Sequence, residues 1–198
     1  MAFANRNLLA LPTPFLVYDE DIIVIALNIL ADVRKKTNCE ILFSLKSFAI
    51  ADALSLMTSS LNGFSVSSLF EARLAREVLG TSGTIHMVTP GYKPTEMDEV
   101  AEIADYISFN SLSQWERFSI QASVHASCGL RINPQLSFVE DKRYNPCRKH
   151  SKLGVPLTQL QKALEKNSRL YDEIQGIHFH TNSSSETYGP LLATVKHL

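Results

Sequence analysis

The chain has 198 residues and a formal net charge of −1, so its overall charge provides no general attraction to nucleic acid or anionic membranes. Its 45% hydrophobic and 20% charged residues are typical of a soluble globular protein with one domain or at most two. Cys39, Cys128 and Cys147 are widely spaced without a CxxC pair, so neither a disulfide framework nor a metal site is predicted.

Residues 1–20 are predicted to be an irregular lead-in that ends in the strand Phe15–Asp19. Apolar residues at helical spacing then predict a helix over Glu20–Lys36. The apolar run Ile22–Val33 within it is interrupted by polar residues and is too short to span a bilayer. No basic region precedes an apolar segment at the N-terminus, so a signal peptide is not expected. We therefore expect a reducing, cytoplasmic setting.

Strands and helices alternate regularly along the rest of the chain. The predicted strands are Ile41–Lys46, Gly63–Ser68, Thr84–Thr89, Tyr106–Ser111, Gly129–Pro134 and Gly176–Thr181. Predicted helices cover residues 48–60, 69–79, 94–104, a stretch starting near 113, and 157–168. The first five strands begin about every 22 residues, which is typical of stacked βα units with a parallel sheet. The predicted fold class is therefore α/β, with a polar loop over Gln135–Pro156 before the last strand.

Each predicted strand becomes polar at its carboxyl end. These ends carry Lys46, Ser67 with Ser68, Thr89, Asn110 with Ser111, Arg131 with Asn133, and His178 with His180. In α/β barrels the functional mouth is built at the carboxyl ends of the strands. Strands often end in polar loop residues, but that explanation does not account for an inward lysine, arginine and histidine together.

Lys46 ends the first of these strands on the same face as Leu42 and Ser44. A partly desolvated amine there could form a Schiff base, although a lysine that turns into solvent is the better explanation for this residue taken alone. His178 and His180 are two residues apart and therefore point to one side of their strand. His178 is expected to be a core residue, whereas His180 could lie flat on an aromatic cofactor.

Six segments, in this order, resemble the pyridoxal-phosphate decarboxylases of the alanine-racemase-like fold (fold type III). They are FSLKSF (43–48), SVSSLFEARLARE (65–77), FNSLSQWERF (109–118), GLRINPQLS (129–137), YNPCRKHSKLGVP (144–156) and GIHFHT (176–181). Within that group the segments are most similar to carboxynorspermidine (carboxyspermidine) decarboxylase. The resemblance implies the decarboxylation of a small carboxylated polyamine in norspermidine or spermidine biosynthesis, with pyridoxal 5'-phosphate as the cofactor.

The resemblance also implies individual roles. Lys46 would carry the cofactor as a Schiff base and His180 would stack on its pyridine ring, as the two catalytic residues. The implied cofactor-binding set is Lys46, Ser68, Arg131 and His180, and the implied substrate-binding set is Asn110, Tyr144, Asn145 and Ser151. At Ser183 and Ser184 the family pattern has a cysteine and an acidic residue, so a polar contact near the substrate is expected to differ.

The family barrel has eight strands and a β-rich second domain. The resemblance therefore implies that residues 21–198 form an incomplete barrel of about six βα units, and that residues 1–20 end in a strand that would pair with the absent β domain. The glycine-rich phosphate loop and the acid that pairs with the pyridine nitrogen are expected elsewhere, and the full-length form is expected to be a homodimer. A fragment or truncated gene product is thus expected. Two alternatives stay open: a non-catalytic single-barrel protein that binds pyridoxal phosphate, and an inactive truncated relative.

Overall fold

The structure is a computed structural model that describes residues 10–182 and 185–198 of the chain. Its helices are α1 (Glu20–Thr37), α2 (Ala51–Met57), α3 (Leu69–Leu79), α4 (Met97–Ile103), α5 (Leu112–Ala122), α6 (Leu157–Lys166), α7 (Arg169–Glu173) and α8 (Gly189–His197). Its strands are β1 (Leu42–Ser44), β2 (Gly63–Val66), β3 (Thr84–Val88), β4 (Tyr106–Phe109), β5 (Ser127–Asn133), β6 (Val155–Pro156) and β7 (Gly176–His178). No described helix is long and apolar enough to cross a membrane.

All strand pairs are parallel, and the sheet runs in the order β1-β2-β3-β4-β5 before it branches. The main body of β5 pairs with β7, so that Arg131 lies opposite His178. The last two residues of β5 pair instead with β6, which is formed by the end of the loop 135–156. This arrangement confirms the predicted α/β fold with six stacked βα units, and it brings the carboxyl ends of β1, β5 and β7 to one edge of the sheet.

The two faces of the sheet differ in chemistry. The face beneath the helices holds the hydrophobic core, whose largest fully buried side chains include Phe64, Ile85, Met87, Ile107, Phe109, Leu130 and Ile132. The opposite face is more polar and borders a cavity of about 420 Å³, whose lining includes Ser65, His86, Ser108 and His178 together with Leu42, Val88 and Tyr106. The apolar positions alternate with these polar ones along each strand, as expected when only one face packs against helices.

The helices that follow β2 and β4 begin with the same capping arrangement. The Ser68 hydroxyl accepts a hydrogen bond from the Glu71 amide at 3.2 Å, and the Ser111 hydroxyl accepts one from the Gln114 amide at 3.3 Å. Glu71 and Gln114 reach back to the backbone before each cap, at 2.6 and 2.8 Å. These reciprocal bonds satisfy donors that a helix start otherwise leaves unpaired, and they fix both strand ends.

The strands end one to three residues earlier than predicted, and three of the differences concern the predicted site or a domain boundary. Phe15–Asp19 forms no strand, because no neighbouring strand among the described residues pairs with it, and its pairing with a second domain stays a prediction. β1 ends at Ser44, and Lys46 lies on the 3₁₀ turn Leu45–Ser47, where the Phe48 amide donates to the Leu45 carbonyl. β7 ends at His178, two residues before His180.

Among the described residues the sheet has open edges at both ends, since β1 pairs only with β2, and β6 and β7 each pair only with β5. The helix next to the first edge, α1, exposes Ile22, Val24, Ile25 and Ile29. The open edges agree with the expectation of about six of eight barrel strands.

Candidate active site

The predicted basic residues meet at the carboxyl end of the sheet. Lys46 follows β1, Arg131 lies on β5, and His180 follows β7. Partial burial lowers the pKa of His180, and the positive charges of Arg131 and then Lys46 lower it further. The charges of Arg131 and Lys46 thus both act on His180, and all three residues lie at or just beyond the carboxyl ends of their strands.

His178 occupies the inner face of the sheet just below His180. Its Nδ1 lies 3.1 Å from the hydroxyl oxygen of Ser108 on β4. Burial lowers the pKa of His178 to about 4, with further contributions from Arg131 and His180. The imidazole is therefore neutral at pH 7. The expectation of a core residue was wrong, because His178 lies on the face that borders the cavity, opposite the hydrophobic core.

Arg131 is half-buried, and desolvation lowers the pKa of its guanidinium. Within residues 10–182 and 185–198 it forms no ion pair with a carboxylate. A buried cation of this kind is favourable only when an anion compensates it. Arg131 is thus available to an anionic group that enters the site.

Ser68 and Asn110, the predicted wall residues, both have structural partners. Ser68 is exposed and caps α3, as described above. The Asn110 side chain is 6% exposed; its amide nitrogen donates to the Lys152 carbonyl at 2.8 Å, and its oxygen accepts from the Gly154 amide at 2.9 Å. Direct contact of either residue with a ligand stays a prediction.

The other predicted substrate residues lie on the loop 135–156. Tyr144 is 72% exposed at the rim. The side-chain oxygen of Asn145 accepts from the Cys147 amide at 2.8 Å, and the Ser151 hydroxyl accepts from the Leu153 amide at 3.1 Å. The two polar residues therefore shape the loop itself. Ser183 and Ser184 lie outside the described residues.

Sequence reasoning missed one member of this region, Cys147. Its buried thiol donates to the backbone carbonyl of His180 at 3.1 Å. Burial raises the pKa of this thiol, whereas the nearby charge of Arg131 opposes that rise. Nothing in the spacing of the three cysteines indicates this contact, because residues 147 and 180 are joined only by the fold.

The side chains suit one kind of ligand. A primary amine can bind an aldehyde covalently, a guanidinium can bind a phosphate or carboxylate, and a neutral imidazole can stack on an aromatic ring. Lys46, Arg131 and His180 offer these three groups together. This set fits pyridoxal phosphate, which combines an aldehyde, an anion and an aromatic ring.

Comparisons with known proteins agree with this chemistry. The chain is 38% identical over 157 residues to carboxyaminopropylagmatine decarboxylase of Synechocystis sp., a match that covers 79% of this chain and 40% of that protein. It is 33% identical over 168 residues to carboxynorspermidine/carboxyspermidine decarboxylase of Campylobacter jejuni, covering 85% of this chain and 42% of the relative.

A solved structure extends the likeness to three dimensions. The crystal structure of carboxynorspermidine decarboxylase from Campylobacter jejuni, complexed with norspermidine, aligns with a TM-score of 0.76 at 29% identity, over 94% of this chain and 46% of that chain. The chain thus spans less than half the length of these relatives. The model of the pyridoxal-dependent decarboxylase family, pyridoxal binding domain, matches residues 27–198. By its sequence, its parallel α/β sheet and the basic cluster at the sheet's carboxyl edge, the chain belongs to the pyridoxal-dependent decarboxylases.

Proposed function

We propose that this chain is the cofactor-binding barrel portion of a lyase that removes CO2 from a carboxylated polyamine, carboxynorspermidine or carboxyspermidine, in polyamine biosynthesis. The observation that carries the proposal is that the charges of Arg131 and Lys46 both act on His180 at the carboxyl ends of the strands. The names of the relatives support the substrate class, since each is a decarboxylase of a carboxylated amine. Pyridoxal phosphate, when bound, supplies the electron sink that accepts the electron pair left by departing CO2.

Lys46 is the proposed attachment point for the cofactor's aldehyde. It lies on the short turn after β1, so its amine extends from a strand end that is fixed by the sheet. It is exposed, so its amine is accessible. An arginine at this position would keep the positive charge without a nucleophilic amine.

Arg131 and the two histidines have complementary proposed roles. Arg131 binds an anionic group of the cofactor or substrate, and its positive charge helps keep His178 and His180 neutral. A neutral His180 ring can stack on the pyridine ring of the cofactor without adding a positive charge next to it. Ser68 completes the proposed cofactor-binding set from the start of α3.

The proposed substrate-facing wall is the loop 135–156. Tyr144, Asn145 and Ser151 lie on it, and Asn110 contacts it from the end of β4. The loop also carries the exposed cations Arg148, Lys149 and Lys152. Their positive charges attract the carboxylate end of a substrate toward the loop side of the site.

A dimeric full-length form and a cytoplasmic location belong to the same proposal. The family resemblance supports a homodimer. Cys39, Cys128 and Cys147 are all free thiols, which is compatible with a reducing compartment. No nucleic-acid or membrane partner is proposed.

Activity is tested by the release of CO2. The full-length protein that contains this chain, supplied with pyridoxal phosphate, is expected to release CO2 from carboxynorspermidine and carboxyspermidine. Lys46→Arg is expected to abolish release, because it removes the nucleophilic amine. Lys93→Arg is the matched control, since Lys93 is an exposed lysine whose amine pairs with Glu96.

The outcomes separate the competing functions. Cofactor binding without release of CO2 from either substrate would favour the non-catalytic carrier over the lyase. A folded protein that binds no cofactor would contradict the proposal and favour an inactive relative. Equal activity of the Lys46→Arg and Lys93→Arg variants would remove Lys46 from its proposed role.

A further inference from the structure

We propose that Asn110 is a positioning residue that fixes the loop 135–156 over the active site, rather than a direct contact to the substrate. The inference rests on the proposed function, because it concerns the wall of the same site. In this arrangement the Asn110 side-chain amide binds two backbone groups of the loop, and other residues contact the ligand.

The side-chain amide of Asn110 is buried and bonded at both ends. Asn110 follows β4 and is only 6% exposed. Its nitrogen donates to the carbonyl of Lys152 at 2.8 Å, and its oxygen accepts from the amide of Gly154 at 2.9 Å. Both ends of the side chain are therefore used by backbone groups more than 40 residues away. Little of the side chain is left to reach a ligand.

The loop packs tightly against β5 at the point where Asn110 binds it. Gly154 has a φ of +85°, and a Cβ there would lie 2.8 Å from the Ile132 carbonyl carbon and 2.9 Å from the Asn133 amide nitrogen. The next residue, Val155, pairs with Ile132 in the sheet. The turn before β6 therefore packs directly on the backbone of β5, and Asn110 bonds to it from the neighbouring strand.

A second buried asparagine repeats the arrangement one strand further along. Asn133, 1% exposed, donates to the carbonyl of Arg148 at 3.3 Å and accepts from the amide of Gln135 at 2.9 Å. The loop is thus bonded at its start, its middle and its end by the carboxyl ends of β4 and β5. A loop of this length is expected to be mobile unless such contacts order it.

The loop also contacts the backbone of His180, the residue proposed to stack on the cofactor. Next to the Arg148 contact, the thiol of Cys147 donates to the carbonyl of His180 at 3.1 Å. Any shift of the loop therefore changes a contact of the residue proposed to stack on the cofactor. Asn145 and Ser151 lie on the same loop, so we expect the Asn110 bonds to contribute to the position of this wall.

The experiment compares two near-isosteric replacements in the full chain by hydrogen exchange. Asn110→Leu removes both bonds, whereas Asn110→Asp keeps the acceptor for the Gly154 amide and loses the donor to Lys152. Exchange at the Gly154 amide is expected to rise at least roughly tenfold in Asn110→Leu and less in Asn110→Asp. Ser111→Ala is the matched control: it removes the adjacent cap of α5 and leaves the loop bonds intact.

A second readout tests whether the positioning reaches the site. In the pyridoxal-phosphate-loaded full-length protein, we measure the norspermidine concentration that gives a half-maximal change in cofactor absorbance. Asn110→Leu is expected to raise it roughly tenfold, with Asn110→Asp between this variant and wild type. Attachment of the cofactor to Lys46 should be unchanged in all variants, and Ser111→Ala should match wild type in both measurements.

The results that would overturn the inference are distinct from failure of the proposed function. Unchanged exchange at Gly154 in Asn110→Leu would show that the amide does not hold the loop. Raised exchange with an unchanged norspermidine response would show a role in folding only. A wild-type protein that neither attaches the cofactor nor responds to norspermidine would contradict the proposed function, while the exchange data would still decide whether Asn110 holds the loop.

Discussion

The Ser108 hydroxyl oxygen lies 3.1 Å from Nδ1 of His178, although β4 and β7, which carry them, are separated by β5. The contact passes over Gly129, which pairs with Ser108 on one side and with Gly176 on the other. A Cβ at this position would meet the backbone of Gly176, so the glycine allows β5 and β7 to pair closely. The position of His178, and of His180 beyond it, therefore depends on a glycine in the middle of β5.

Gly129→Ala is expected to disturb the pairing of β5 and β7. A Cβ at this position would lie 2.5 Å from the carbonyl oxygen of Gly176, which belongs to the backbone and cannot move away independently. We expect the free energy of unfolding, measured by urea denaturation, to fall by about 2 kcal/mol. Gly176→Ala is the matched control, since a Cβ there meets no atom within 4 Å. Equal effects of the two substitutions would contradict this explanation.

The low pKa of His178 makes stability depend on pH. Burial and the charge of Arg131 hold this pKa at about 4, below the value near 6.5 of an unfolded chain. As the pH falls below 6.5, the unfolded state takes up a proton that the native state does not, so stability decreases. This residue should account for a loss of about 2 kcal/mol between pH 7.5 and pH 5.

Urea denaturation across this pH range checks the prediction. His178→Gln should show a smaller loss of stability than wild type, because it removes the titrating ring. His125→Gln, at an exposed histidine before the start of β5, should retain the wild-type pH dependence. A His178→Gln curve parallel to that of wild type would exclude His178 as the source.

Removing the charge of Arg131 should change the titration of His180. Because that charge lowers the pKa of His180, Arg131→Met is expected to raise this pKa toward its ordinary value. NMR titration of the histidine ring signals, assigned with a His180→Gln variant, measures the change. Arg73→Met, which breaks an exposed ion pair with Glu99, should leave the titration of His180 unchanged. A fall in the pKa in Arg131→Met would contradict the proposed arrangement.

Substitution of Ser68 and of Ser111 distinguishes a role in helix capping from a role in cofactor binding. Ser68→Ala and Ser111→Ala each remove the N-cap of one helix and should lower the free energy of unfolding by about 1 kcal/mol. Only Ser68 belongs to the proposed cofactor-binding set, so only Ser68→Ala should also weaken the affinity for pyridoxal phosphate. Equal cofactor affinities of the two variants would limit Ser68 to its structural role.

Local patterns predicted most of the fold. The helix over residues 69–79 ends at Gly80 as its sequence indicates, because a glycine adopts the positive φ of 60° found there. The strands that begin at Gly63, Thr84, Tyr106 and Gly176 start where their apolar patterns predict. These features depend on residues that are neighbours in the chain, so they can be read from short segments.

The features that sequence reasoning missed depend on distant residues. Phe15–Asp19 alternates like a strand, but a strand requires a hydrogen-bonded neighbour, and none of the described strands supplies one. The contacts of Asn110 with Gly154 and of Cys147 with His180 join segments that only the sheet brings together. The sequence therefore predicted the strand ends that carry Lys46, Arg131 and His180, but not how the loop 135–156 is held.

The most direct measurement of the central claim is the site of cofactor attachment. The full-length protein that contains this chain is incubated with pyridoxal phosphate, treated with borohydride and digested, and the labelled peptide is identified by mass spectrometry. The account predicts a label on the peptide that contains Lys46, with no label at that position after Lys46→Arg. A label on another lysine in the wild-type chain, or no label at all, would contradict it.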